Sequence, residues 1–163
     1  MITAGFTAAR NGFSPVPGVV VNVLCRIPHA DRYVTGGAWG GDAFIGEWLY
    51  ANRPEAEHYV IIPANRDQVD PWWENYLPWR PGMTAIGRIE MPPGTSYASR
   101  NAAIVAQSSD VYGFPEWPED DPRSRRSGTW QTIRMARAAG NLTEWACVQP
   151  PYQGRIERWP ART

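Results

Sequence analysis

The sequence contains no lysine: all sixteen basic residues are arginine, and sixteen acidic residues balance them. Without lysine a P-loop kinase or ATPase is excluded, because its phosphate loop ends in Gly-Lys-Ser/Thr. The balance also removes any whole-surface attraction for nucleic acid, leaving only local patches. Cysteine is scarce, with Cys25 and Cys147 far apart and outside any CxxC pair. That excludes a disulfide framework and favours two buried, reduced thiols over a single disulfide. His29 and His58 are the only histidines and lack metal-ligand spacing. Surface or core roles are expected for both, with no metal and no cofactor. No apolar run approaches the ~20 residues that span a bilayer. The first ten residues, MITAGFTAAR, lack the basic start and apolar stretch of a signal peptide. A cytoplasmic protein with no membrane partner is the expectation.

What is present is core-forming material: 43% hydrophobic and 20% charged residues in 163, enough for one domain. Met1 to Thr7 reads as a buried strand. Val19 to Ile27 is β-branched enough for a strand, but its place in an alternating pattern favours a short helix behind Pro17. Asp31 to Thr35 is the second strand. From Asp42, Phe44, Ile45, Trp48 and Leu49 mark a helical face that ends before Pro54. His58 to Pro63 is a near-continuous apolar strand of the kind buried on both faces of a parallel sheet.

Residues 64–95, with Trp72, Trp73, Tyr76 and Trp79 among prolines and glycines, read as an irregular excursion. Ser96 caps a helix reaching Ser108, Asp110 to Phe114 is the fourth strand, and Trp130 to Ala139 is an amphipathic helix stopped by Gly140. Glu144 to Val148 is the fifth strand. Strands alternating with helices define an α/β fold, a single three-layer Rossmann-like domain with a mostly parallel five-stranded sheet. The domain spans residues 1–150, and 151–163 form a Pro/Arg-rich tail.

Ligands in such sheets lie beyond the carboxyl ends of the strands. Three segments there end a strand in small residues and open a helix: Gly5-Phe6-Thr7, Gly36 to Asp42, and Ser127-Gly128-Thr129. Glycine allows close backbone approach, and free N–H groups at a helix start favour an anion. Asp42 either caps its helix or acts in the site, and the sequence leaves both open. The arginines of the charged loop PEWPEDDPRSRRS stand close to Gly128, and the loop's length suggests a mobile lid.

In order along the chain, Val34-Thr35-Gly36-Gly37 with Gly41-Asp42, Ser99-Arg100-Asn101, Ser108-Ser109-Asp110-Val111 and Ser127-Gly128-Thr129-Trp130 resemble the SLOG superfamily of Rossmann-like domains. That superfamily includes the cytokinin-activating phosphoribohydrolases (LOG proteins) and the DNA-processing protein DprA. The form is closest to small members from bacteria and phages. The resemblance implies a nucleotide or nucleotide-derived ligand. Arg100, Asn101, Ser127, Gly128, Thr129 and Gln131 would hold its phosphate, and Gly36, Gly37 and Asp42 would line the ribose side. Gly5 and Thr7 complete the candidate set.

One position departs from the family. The hydrolases carry a glutamate three residues after the Gly-Thr threonine, where this chain has Thr132. Gln131 beside it cannot serve as a general base, and Asp42 is the nearest plausible substitute carboxylate. The leading expectation is therefore a binding domain: a sensor, carrier or sequestering protein. A nucleoside 5′-monophosphate N-glycosidase built on Asp42 is the alternative. Single-stranded DNA binding ranks third, because backbone binding needs clustered positive charge. Relatives are often dimers and nine tryptophans supply interface, so a homodimer or higher homo-oligomer is also expected.

Overall fold

The computed structural model describes residues 1–63, 86–152 and 155–160, and no side chain is described within 86–90. Strand β1 (Thr3–Ala8) leads to helix α1 (Gly18–Arg26), β2 (Arg32–Thr35), α2 (Gly41–Asn52) and β3 (Glu57–Ile62). Beyond them lie β4 (Ile86–Glu90), α3 (Tyr97–Gln107), β5 (Asp110–Phe114), α4 (Gly128–Ala139), β6 (Leu142–Ala146) and β7 (Ile156–Arg158). The seven strands form one sheet in the order β4-β3-β2-β1-β5-β6-β7. All neighbours are parallel except β7, which runs antiparallel to β6.

The layers follow from side-chain alternation along each strand. From β1, Ala4, Phe6 and Ala8 point to one face and join Val20, Val23 and Leu24 of α1 and Ile45 and Leu49 of α2. On the other face, Val111 meets Trp130, Ile133 and Ala136 of α4, while Val34 and Ile61 meet Ile104 of α3. Two glycines permit the close approach on that second face. A β-carbon on Gly113 would lie 2.6 Å from Ile133, and one on Gly5 would collide with Ser108 Oγ. All six β1 residues are buried, as befits the central strand of a parallel sheet.

The α/β three-layer arrangement expected from the alternation is the one found. Val19, Val20, Val23 and Leu24 recur at helical spacing and are the buried residues of α1, so packing overrides their β preference. Ser96 and Ser127 cap α3 and α4 by accepting from Ser99 N–H and Trp130 N–H. Gly140 ends α4 in the left-handed conformation, φ 76°.

Two strands were missed, so the sheet has seven strands where the sequence suggested five. IGRIE at 86–90 lies within the stretch read as irregular, yet it hydrogen-bonds along β3. Ile156–Arg158 of the tail extends the sheet through β6. The tryptophan excursion itself, including Trp72, Trp73, Tyr76 and Trp79, lies outside the described residues. The cysteines are free as expected, but Cys25 is exposed and Cys147 only half-buried. Burial raises the Cys147 thiol to about 11, far from a reactive thiolate. His29 is exposed beside Glu55, whereas His58 is buried and bonded to Arg53 O at 2.8 Å. No helix among the described residues is long and apolar enough to cross a membrane.

Candidate functional site

The sheet reverses direction of growth at β1, which has β2 on one side and β5 on the other. Such a switch leaves a crevice past the strand ends, because the two crossovers depart in opposite directions. Here the crevice is a cleft of about 670 Å³, within the range of small-molecule sites. Its floor is Thr7 to Asn11 leaving β1, and its walls come from the starts of α2, α3 and α4 and from the loop after β5. Four arginines (Arg10, Arg100, Arg123, Arg126) face two carboxylates (Asp42, Glu116), so the cleft favours an anion.

Thr7, Asp42, Arg100, Asn101, Ser127, Gly128, Thr129 and Gln131 all line this cleft, brought together from four separate elements. Gly5, Gly36 and Gly37 do not line it. Gly5 sits inside β1 under Ser108 and Ile104, so its role is packing. Gly36 acts through its missing side chain: a β-carbon there would strike Arg100 Nη1 and Asp42 Oδ2. Gly37 adopts φ 70°, turning the chain toward α2.

Arg100 and Asp42 are both buried and stand 3.7 Å apart. Arg100 also donates to Gly36 O through Nη1 and to Asn101 Oδ1 through Nε at 3.0 Å. Asp42 is not the helix cap, since Gly40 holds that position without a side-chain bond. Its Oδ1 instead accepts the Ala8 N–H at 3.1 Å, tying α2 to the end of β1. Burial raises the Asp42 carboxyl above its ordinary range, opposed by the Arg100 charge, the Ala38 and Ala8 N–H groups and Arg10.

At the start of α4, Ser127 Oγ accepts from Trp130 N–H at 3.1 Å and is committed to capping. Gly128 and Thr129 supply the first N–H groups of the helix, whose positive dipole end points at the cleft. Thr129 is 7% exposed and Thr7 6% exposed. Among the described residues neither hydroxyl has a hydrogen-bond partner, so both are available to a ligand. Asn101 Nδ2 reaches Gly128 O at 3.3 Å and Gln131 Oε1 at 3.4 Å, linking α3 to α4. Thr132 is fully buried and donates to Gly128 O at 2.9 Å.

The charged loop is more firmly held than its composition suggests. Trp117 O accepts from Trp130 Nε1 at 2.8 Å and from Ser124 Oγ at 3.2 Å. Glu119 pairs with both Arg134 and Arg137 of α4. The loop that the sequence suggested as a lid forms one wall of the cleft, and its backbone accepts hydrogen bonds from buried Ser124 and Trp130. Arg123 stacks on Trp117 at 3.4 Å and pairs with Asp121, whereas Arg126 is exposed and has no partner among the described residues.

Sequence reasoning overlooked Arg10, Trp39, Tyr97 and Trp117. Arg10 carried a usable signal, since it directly follows the small residues that end β1. The other three are aromatic and carried no motif signal of their own. Comparison with family models, curated proteins and solved structures found no match for this chain.

Proposed function

We propose that this chain is a binding domain of the SLOG type whose cleft takes a nucleotide or nucleotide-derived signal, as a sensor, carrier or sequestering protein. The observation that carries the reading is the α4 start. Two free helical N–H groups, the unpartnered Thr129 hydroxyl and the uncommitted Arg126 converge on an arginine-rich cleft at the sheet's switch point. A phosphate satisfies all of these donors at once, by charge and by hydrogen bonding. Arg100 has a different part in this reading. Its Nε and Nη1 donate to Asn101 and Gly36 and it stands 3.7 Å from Asp42, which orients the guanidinium at the cleft floor and leaves Nη2 for a ligand oxygen.

The test is calorimetric titration of the full chain with nucleoside mono-, di- and cyclic phosphates. At least one should bind, and Thr129→Val together with Arg126→Ala should weaken it by about tenfold or more. Unchanged affinity in the double variant would remove phosphate from the α4 start.

The second reading, an N-glycosidase, is favoured by one observation: Asp42 lines the cleft with its carboxyl raised by burial, the condition of a general acid. Incubation with nucleoside 5′-monophosphates followed by liquid chromatography decides it. Free base above a protein-free control, lost in Asp42→Asn, supports the enzyme. Intact nucleotides support pure binding.

A further inference from the structure

We propose that Trp39 is a preformed platform on which an aromatic ring of the cleft's ligand stacks, selecting a phosphorylated nucleoside over a bare sugar phosphate. The inference rests on the cleft's reading as a phosphate-ligand site and adds the part of the ligand that reading leaves open.

Trp39 lines the cleft and is 42% exposed, an unusual state for so large an apolar side chain. Its position is imposed by the backbone. Gly40 has φ 87°, and a β-carbon there would collide with the backbone carbonyl of Arg10. Gly41 donates its N–H to Ala9 O at 3.0 Å, and a β-carbon on it would lie 2.5 Å from Ala8 Cβ. These two glycines let the loop before α2 press directly onto the chain leaving β1. The backbone that carries the indole is therefore fixed at the cleft rim, and the ring stays exposed there. The loop part of the ordering cost is thus met in the free protein.

The other cleft tryptophan differs. Trp117 has Arg123 stacked on it at 3.4 Å, and Asp121 pins that arginine through two hydrogen bonds at 2.9 Å and 2.7 Å. Arg10 stands over Trp39 at the looser distance of 5.7 Å and forms no salt bridge among the described residues, acting on Asp42 only through its charge. Trp39 thus offers an open π-face with a movable cation beside it. A nucleobase stacks on such a face whatever its edge, and Arg10 can close over it or turn to a phosphate.

The experiment is calorimetric titration of wild type, Trp39→Ala and Trp39→Phe with the four ribonucleoside 5′-monophosphates and with ribose 5-phosphate. Wild type should bind at least one nucleotide more tightly than ribose 5-phosphate. Trp39→Ala should lose about tenfold in nucleotide affinity, leave ribose 5-phosphate binding unchanged, and be rescued largely by phenylalanine. Equal nucleotide affinity in wild type and Trp39→Ala overturns the platform while leaving the cleft reading intact. So does an equal loss for ribose 5-phosphate, which marks a structural role. Binding of none of these probes by wild type overturns the platform, and the cleft reading falls as well if nucleoside di- and cyclic phosphates also fail to bind.

Discussion

Two buried carboxylates in this molecule meet arginine, and their environments push them in opposite directions. Glu144 on β6 accepts from both ends of the Arg26 guanidinium, at 3.1 Å and 2.9 Å, and from Arg158 Nε at 2.9 Å. Burial by itself would raise that carboxyl, but the bonds and charges of Arg26 and Arg158 outweigh it and hold it below its ordinary range. Asp42 has one arginine, at 3.7 Å, whose donors are turned to Gly36 and Asn101, and it is held above its range. The first is a closed clamp joining α1, β6 and β7. The second is an incompletely compensated group on the wall of a cleft. The same residue types therefore brace the fold in one place and leave capacity for a ligand in the other, according to how many donors reach the carboxylate.

The largest expected effect is on the looser pair. Arg100→Ala should destabilise the fold by about 3 kcal/mol, the lower end for breaking a buried ion pair, because Asp42 can take up a proton. The Asp42 carboxyl should rise further in that variant, since the Arg100 charge is the main influence lowering it. Urea unfolding and carbon-detected NMR titration measure the two effects. A stability change below about 0.5 kcal/mol would show that the pair contributes nothing to the fold.

Next in size is Gly36→Ala, expected to cost about 2 kcal/mol by overpacking against Arg100 and Asp42. Thermal unfolding reads the loss. Gly18→Ala provides the contrast, since a β-carbon there meets nothing within 4 Å. If the two variants melt alike, the fit of Gly36 around the pair is not what constrains that residue.

The clamp should respond more weakly. Glu144→Gln should cost about 1 kcal/mol, because Arg26 and Arg158 are exposed enough to return to water. The sign of its pH dependence follows from a folded-state value below the unfolded 4.5. Its stabilisation is complete above the unfolded value and is lost as pH falls through the folded one. Wild type should therefore lose more stability than Glu144→Gln between neutral and acid pH. Parallel urea midpoints across that range would contradict the assignment.

The pairing of Arg100 shows where sequence reading stops. Its place on α3 was legible from the Ser-Arg-Asn motif and the Ser96 cap. Its partners were not, because Gly36 and Asp42 belong to another crossover and meet it only when α2 and α3 converge on the end of β1. Gly36 itself was legible as a special residue, but for backbone approach to a ligand; it makes room for a guanidinium. The internal contacts of the loop at 115–127 were not legible, because composition does not reveal that Trp117 O will receive the Trp130 indole N–H. Strand β4 was hidden because short, glycine-containing IGRIE has little pattern of its own and is defined by the ladder it completes.

Sequence alone determined the alternation of strands and helices, the Ser96 cap, the glycine stop of α4 and the Gly-Thr helix start. These depend on spacing and on local backbone chemistry, which neighbouring residues carry. Tertiary structure alone decided the seven-strand order, the Asp42–Arg100 contact and the exposure of Trp39. Each of those depends on distances between segments far apart in the chain, and parallel crossovers separate partners too widely for any local signal to record them.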